Sequence, residues 1–350
     1  MTANLAHFAI PGDINALTGG YGYDRRLRAE LEALGFAINH LRLSGTYPMP
    51  DTAAIADTEA QFAALPDGAI VLVDGLAYGA MDAIAERHGE RLRLVALCHH
   101  PLALETGLAQ DDADRLQHSE QRALNVATAI LATSTMTATI LTRHFSVDRS
   151  KIVVAPPGTD KRPFAACTAT PPLLLTVATL IPRKAHDVLI AALARIAHLP
   201  WAARFAGNLD SNPGWTAHLQ QLTAAHGLEQ RIHFSGTRAD LSDEYAQASL
   251  FVLPSLFEGY GMVFAEALAC GLPIVAARAG AVPEVVPKTA GMLVPPGDVD
   301  ALAAVLGTLL RQPAARARLQ RGARRAANRL PAWADTARIV ADLITTVRKR

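Results

Sequence analysis

The chain has 350 residues, 50% of them hydrophobic, 19% charged and 5% aromatic, which is long for one hydrophobic core and comfortable for two. Lys plus Arg total 33 against 32 for Asp plus Glu, a formal net charge of +1; this balance argues against nucleic acid as a general partner. With 24 Gly and 21 Pro, collagen-like and low-complexity classes are excluded. Cys98, Cys167 and Cys270 are scattered, with no Cys-x-x-Cys pair, the usage of a reducing compartment. Residues 1–7 lack the basic and apolar regions of a leader. The charge-free run 123–142 contains seven Ser or Thr and reads as a strand plus a helix cap rather than a membrane span. A soluble, cytoplasmic protein is expected.

Residues 7–11 are predicted as a first strand, 23–34 as a helix stopped by Gly35, and 36–41 as a second strand. The unbroken apolar run 69–73 has the pattern of a parallel strand buried on both faces, followed by a helix through Arg87. Residues 92–98, 129–133 and 151–155 add three strands. Strands and helices alternating at this spacing give βαβ units around a parallel sheet. Pro156-Pro157-Gly158, Pro163 and Pro171-Pro172 then break the periodicity and read as a linker. Alternation restarts with a strand at 173–178 and a helix at 186–198. Strands follow at 203–206, 231–234, 250–253, 273–276 and 292–294. The predicted class is α/β, with two successive doubly wound, Rossmann-like domains. The tail, 311–350, carries eleven Lys or Arg and two Asp. It reads as a solvated helix face or as a weak attraction to an anionic membrane surface.

Ligands of open α/β sheets bind beyond the carboxyl ends of the strands, so the residues after each strand are the candidates. The first strand leads to Asn15-Ala-Leu-Thr-Gly19-Gly20-Tyr-Gly22, where adjacent glycines let backbone N–H groups approach a ligand ahead of a helix starting near Tyr23. A nicotinamide fingerprint needs Gly-x-Gly-x-x-Gly hard against the strand and an acid closing the second strand; that strand ends in Asn39-His40-Leu41-Arg42, which disfavours it. Cys98-His99-His100-Pro101 follows the fourth strand. No carboxylate pair or third histidine stands at ligand spacing, so a neutral imidazole touching a polar ligand is preferred to a metal, and no cofactor is expected.

Arg183-Lys184 lies where the 173–178 strand passes to a helix. Arg can fork onto phosphate oxygens and Lys adds a point charge; an isolated pair of this kind also fits a solvated surface. Further on, Leu253-Pro254-Ser255-Leu-Phe-Glu258-Gly259-Tyr260-Gly261 passes from a strand through a glycine-flanked loop. A helix beginning near Gly261 carries Glu266 within the apolar stretch 262–270. A carboxylate there is costly unless paired. A ligand with vicinal hydroxyls would pair with it, and so would a structural salt bridge.

Glu258-x(7)-Glu266, preceded by Pro254-Ser255 and followed by Gly271-Leu-Pro273, resembles the signature of the retaining glycosyltransferases of family 4, which have the GT-B fold. Gly19-Gly20 is similar to the family's N-terminal glycine loop and His99-x-Pro101 to its His-x-Pro segment. Ala155-Pro-Pro-Gly158-Thr-Asp160 resembles its hinge, Pro182-Arg183-Lys184 its phosphate-binding stretch, and Ala279-Gly280-x-x-Pro283-Glu284 its Gly-Gly-x-Pro-Glu motif. The matches run in order along nearly the whole chain.

The resemblance implies two domains facing across a cleft, with 1–165 on the acceptor side, 166–330 holding the donor, and a C-terminal helix, 331–350, crossing back to the first domain. It implies metal-independent transfer of a hexose-type sugar, with retention, from a UDP- or GDP-linked donor. Carried over, Glu258 contacts the donor sugar's hydroxyls, Glu266 the ribose hydroxyls, Lys184 with Arg183 the diphosphate, and His99 the donor sugar. Gly19 and Gly20 face phosphate or acceptor. Gly207 and the turn Ser235-Gly236-Thr237-Arg238 border the base. Gly259, Tyr260, Gly261, Met262 and Val263 complete the donor site. Three positions depart from the pattern: Ala178-Thr179 replaces Gly-Arg, Ala185 replaces the glycine after the lysine, and Pro157 replaces the hinge asparagine. The first shifts phosphate binding onto Arg183. Acceptor choice is assigned to loops at 44–58 and 102–117. The alternatives are a GT-B nucleotide-sugar epimerase, which needs no acceptor, and a non-catalytic nucleotide-sugar binding protein.

Overall fold

The computed structural model describes residues 4–238 and 240–349. Residues 1–3 of the chain start, Ala239 and Arg350 of the basic tail lie outside the described residues. Contacts divide the chain into two units, Met1–Gly158 with Pro331–Arg350, and Thr159–Leu330. Residues 159–165, expected with the first domain, are held by the second unit: Ala165 N–H donates to Cys270 O at 2.8 Å, and its carbonyl accepts from Gln320 and Arg324.

In the first unit, β1 (Asn4–Pro11), β2 (Phe36–Leu43), β3 (Ile70–Asp74), β4 (Arg93–Cys98), β5 (Ala129–Ala132) and β6 (Ile152–Val154) form a parallel sheet in the order β2-β1-β3-β4-β5-β6. Every residue of β3 and β5 is buried, as expected where helices cover both faces. From β1 the chain runs outward to the edge strand β2 and then returns to β3 on the other side. The switch point therefore lies between β1 and β3, and the crevice beyond their carboxyl ends is where such a sheet takes a ligand.

Local chemistry explains where the helices differ from expectation. The first begins at Gly19, not near Tyr23, because Thr18 caps it and accepts from Tyr21 N–H; Gly19 and Gly20 are its opening positions. Segment 44–58 is not all loop, since the Asp51 carboxylate accepts from Ala54 N–H at 2.7 Å and starts the helix Thr52–Ala63. Segment 102–117 holds a 3-10 turn, Leu102–Leu104, and the first turns of the helix Gln110–Val126. The helix expected to run through Arg87 is two pieces, Gly75–Tyr78 and Asp82–His88. Gly79 separates them, set so close to Leu102 and Glu120 that a Cβ would sit 2.8 Å and 3.1 Å from their side chains.

The second unit repeats the plan. β7 (Leu173–Val177), β8 (Ala202–Ala206), β9 (Ile232–Gly236), β10 (Leu250–Leu253), β11 (Ile274–Ala277) and β12 (Gly291–Val294) lie parallel in the order β12-β11-β10-β7-β8-β9, with the switch point between β7 and β10. Leu174, Phe205 and Val252 face one core, and Leu175, Phe251 and Leu253 the other, on the opposite side of the sheet.

The basic tail is divided. Its helix Pro313–Ala327 belongs to the second unit and Trp333–Arg348 to the first. Among the described residues no helix is long and apolar enough to cross a membrane. Trp333 is 5% exposed, edge-on to Tyr23 at 5.6 Å and beneath the Arg26 guanidinium at 5.5 Å. Gly158 makes the approach possible, because a Cβ there would lie 2.2 Å from Trp333 N. Thr336 Oγ1 donates to Pro156 O at 2.7 Å beside it. Trp333→Ala is expected to destabilise the first unit by about 3–5 kcal/mol, read from the urea midpoint of the transition that includes it.

Candidate functional site

At the switch point of the second unit, the turn Pro182–Lys184 after β7 and the loop after β10 are tied together. Leu256 N–H donates to Arg183 O at 2.8 Å, and Arg183 Nη1 donates to Phe257 O at 3.0 Å. This brings Lys184 Nζ to 2.7 Å from Glu258 Oε1 and Arg183 Nη1 to 3.7 Å from Oε2. Glu258 is 5% exposed. Burial pushes its carboxyl up, but Lys184 and Arg183 outweigh burial and hold it below the ordinary 4.5. Gly280, at φ +53°, packs so tightly that a Cβ would lie 2.1 Å from Glu258 O. Ala281 N–H donates to that same oxygen at 2.9 Å. Gly280 was visible as part of a motif, but its role as a backbone support for Glu258 was not.

Glu266 projects from the helix Met262–Ala269, whose cap, Gly261, has φ +87°; here only glycine fits, since a Cβ would meet Phe264 at 2.6 Å. Glu266 Oε2 accepts from the Tyr245 hydroxyl at 2.9 Å, so a buried phenol supports the carboxylate. Burial raises its pKa. Its Oε1 has no protein partner among the described residues. Gly259 is buried, while Tyr260, Met262 and Val263 are half-buried around the helix start. Beyond β8 and β9, Gly207 N–H donates to Gly236 O at 3.0 Å, Gly236 has φ +69°, and Thr237 is exposed. Gly207 is obligatory, because a Cβ would fall 1.7 Å from Ala178 O.

In the first unit, His99 follows β4 and meets two carboxylates that no sequence spacing connects to it. Its Nε2 lies 3.1 Å from Asp24 Oδ1 and 3.4 Å from Asp74 Oδ2. Asp24 is fully buried on the helix Gly19–Ala33, and Asp74 ends β3 at the switch point. Burial works against a charged ring, yet the two acids outweigh it and lift His99 from 6.5 to about 10. The two carboxylates thus favour the protonated ring over the neutral imidazole expected from the sequence. Gly20 stands against it, with a Cβ position 3.6 Å from His99 Cδ2. Ligand atoms of these three residues lie within 4.8 Å of one another, a spacing compatible with a cation or with a proton on Nε2 shared with the acids. Asp24 and Asp74 escaped the sequence reading because only the fold brings them together.

Comparison with known proteins agrees with this layout. Residues 171–312 match the family model described as Glycosyl transferases group 1, and residues 63–162 match Glycosyltransferase Family 4. The D-inositol 3-phosphate glycosyltransferase of Xylanimonas cellulosilytica is 34% identical over 253 residues, which cover 66% of this chain and 60% of that protein. The MMP alpha-(1->4)-mannosyltransferase of Mycolicibacterium hassiacum is 31% identical over 265 residues, 70% of this chain and 63% of its own length. The chain belongs to glycosyltransferase family 4. It thus spans 60–63% of the length of these two relatives. Among solved structures, sucrose-phosphate synthase from Thermosynechococcus elongatus superposes with a TM-score of 0.82 at 21% identity, covering 98% of this chain and 99% of that one. Anabaena HepE in complex with UDP-glucose gives 0.77 at 19% identity, covering 97% and 99%. These likenesses show the fold, which is GT-B.

One departure from the family pattern has a structural counterpart. Ala185, standing where the family has glycine after the lysine, adopts φ +53°, a left-handed conformation that costs a residue with a Cβ roughly 1–2 kcal/mol. The chain keeps the turn that aims Lys184 without the residue that favours it.

The electrostatics of Glu258 give a signed expectation. A carboxyl depressed in the folded state stabilises above the unfolded value, and that contribution is lost as pH falls through the folded value. Glu258→Gln is expected to lower Tm at neutral pH and to flatten the loss of Tm as pH falls below the ordinary carboxyl value of 4.5, measured by calorimetry.

Proposed function

We propose that this family-4 chain is a retaining, metal-independent glycosyltransferase that moves a hexose-type sugar from a UDP- or GDP-linked donor to a hydroxyl acceptor. The observation that carries the reading is Glu258, buried and bound by Lys184 and Arg183 at the switch point of the second unit. A nucleotide sugar suits this set: its diphosphate oxygens take the cations, and its sugar hydroxyls donate to the carboxylate. Glu266 Oε1 is assigned to the ribose hydroxyls, and Gly207, Gly236 and Thr237 to the border of the base. In the first unit, His99 is assigned to sugar oxygen and the Gly19–Gly20 helix start to phosphate or acceptor. The names of the relatives, a glycosyltransferase and a mannosyltransferase, support the reading, as do the UDP and UDP-glucose in the HepE structures.

In the proposed step, the bond from the anomeric carbon to the diphosphate oxygen breaks. The acceptor oxygen bonds to that carbon on the same face, and the acceptor's hydroxyl proton passes to the departing phosphate. Negative charge develops on the diphosphate, where Arg183 and Lys184 stand ready. A preplaced contact of this kind is worth about 3–4 kcal/mol in the transition state.

Glu266→Ala is expected to weaken UDP or GDP binding by about 1–3 kcal/mol in calorimetry, through the lost ribose bonds. Lys184→Ala is expected to lower kcat more than donor affinity, because the charge it meets grows during reaction. NMR of the product should show the donor's anomeric configuration. Inversion, or an epimer formed from donor alone, would overturn the reading.

A further inference from the structure

We infer that Asp24 and Asp74 are positioning residues for His99, fixing its Nε2 edge inward so that the opposite edge presents an Nδ1–H donor to a ligand oxygen. The geometry is specific. Asp24 reaches Nε2 from the first helix of the fold and Asp74 from the carboxyl end of β3, the two elements flanking the crevice of the first unit. Asp74 is fixed independently of His99. Asp24 is wholly buried, and Asp74 Oδ1 is held by Leu76 N–H at 2.9 Å. Tyr23 stands edge-on to the ring at 5.1 Å, with its own hydroxyl donating to Ala155 O at 3.0 Å. The ring therefore has a wall of aromatic surface and a floor of carboxylate. No protein group pairs with Nδ1 among the described residues, and the side chain keeps 21% of its surface exposed.

A histidine bound through one nitrogen to two acids is both oriented and charged. Asp24 and Asp74 are the charged groups facing the ring, and together they account for the upward displacement of its pKa. Asp24 is itself pushed up by burial and then by Asp74, so the pair resists losing the imidazolium that neutralises it. Asp24 Oδ2 has no partner of its own. The carboxylate thus depends on His99 as much as His99 depends on it. The ligand atom that suits such a donor is an oxygen with lone pairs, a sugar hydroxyl or a carbonyl, held by a charge-assisted bond. A neutral histidine, free to flip or to change tautomer, would present a donor there only part of the time.

The test is a pH titration of the full chain by two-dimensional nitrogen–proton NMR, with the His99 signals assigned by their absence from His99→Gln. Wild-type His99 is expected to stay doubly protonated through pH 8. In Asp24→Asn, which keeps an oxygen for the hydrogen bond but removes the charge, its pKa is expected to fall by about one to three pH units. Asp74→Asn should give a fall in the same direction, and it serves if Asp24→Asn does not fold. Ordinary titration of wild-type His99 near 6.5, or an unmoved pKa in both variants, overturns the inference. So does stoichiometric Zn2+ binding by the wild-type chain that is lost in Asp24→Asn, because the metal would take the nitrogen lone pair that the proton occupies. The consequence for turnover rests on the proposed transferase reading. Asp24→Asn should move the alkaline limb of kcat to lower pH and leave UDP affinity unchanged in calorimetry. Absence of transfer by the wild-type chain would count against that reading and leave the titration to decide this one.

Discussion

The second unit is organised around a carboxylate kept out of water. Moving Glu258 into an interior position costs several kcal/mol of hydration, and its attraction to Lys184 and Arg183 returns that cost only because three backbone segments hold the groups at hydrogen-bond distance. The turn after β7 supplies the cations, the loop after β10 supplies the acid, and the loop after β11 grips the acid's carbonyl through Ala281. Buried ion pairs add little to stability compared with apolar packing of equal volume. On the proposed reading, the arrangement is better explained by what the charges do when a ligand enters: each has an alternative partner on a nucleotide sugar.

This cluster depends on backbone approaches closer than side chains permit. Gly280 lies against the carbonyl of Glu258, and Gly207 lies against the carbonyl of Ala178. At the start of the following helix, Gly261 turns through a left-handed conformation beneath Phe264. The glycines sit beyond the carboxyl ends of β8, β10 and β11, where successive parallel strands deliver their loops to one edge of the sheet. The same topology that gathers the functional groups thus crowds their backbones, and glycine relieves the crowding.

Much of this could be read from residues alone. Strands buried on both faces are continuous apolar runs, so β3, β4 and β10 stood out, and β10 spans 250–253 as its pattern indicated. The two glutamates, the cation pair and the glycines announced themselves by motif. What stayed hidden followed other rules. The helix Thr52–Ala63 carries mostly small residues and an aspartate cap, with a weak apolar stripe, and so looked like loop. Gly19 and Gly20 are poor helix formers placed in a helix by the Thr18 cap. The break at Gly79 is imposed by tertiary packing against Glu120, whose carboxylate also accepts from Leu102 N–H at 2.8 Å. Asp24 and Asp74 carry no local signal at all; their meaning arises when β1, β3 and the intervening helix place them around a histidine from β4. The partner of Glu266 was equally illegible, since Tyr245 reaches it from a separate helix.

The two switch points occupy equivalent places in similar sheets but carry opposite charge. In the second unit two cations surround one carboxylate, 2 − 1, a formal +1. In the first, a ring that is charged only when protonated meets two carboxylates, a formal −1 with all three groups ionised and −2 with the ring neutral. A diphosphate is drawn to the former and gains no attraction from the latter, since the acids beneath His99 offset its charge at any distance beyond direct contact. A sugar hydroxyl, with a lone pair and no net charge, loses nothing at the first unit and gains the short-range bond from Nδ1–H. On the proposed transferase reading, charge therefore favours Arg183 and Lys184 over His99 as partners of the diphosphate, and leaves His99 to a neutral oxygen.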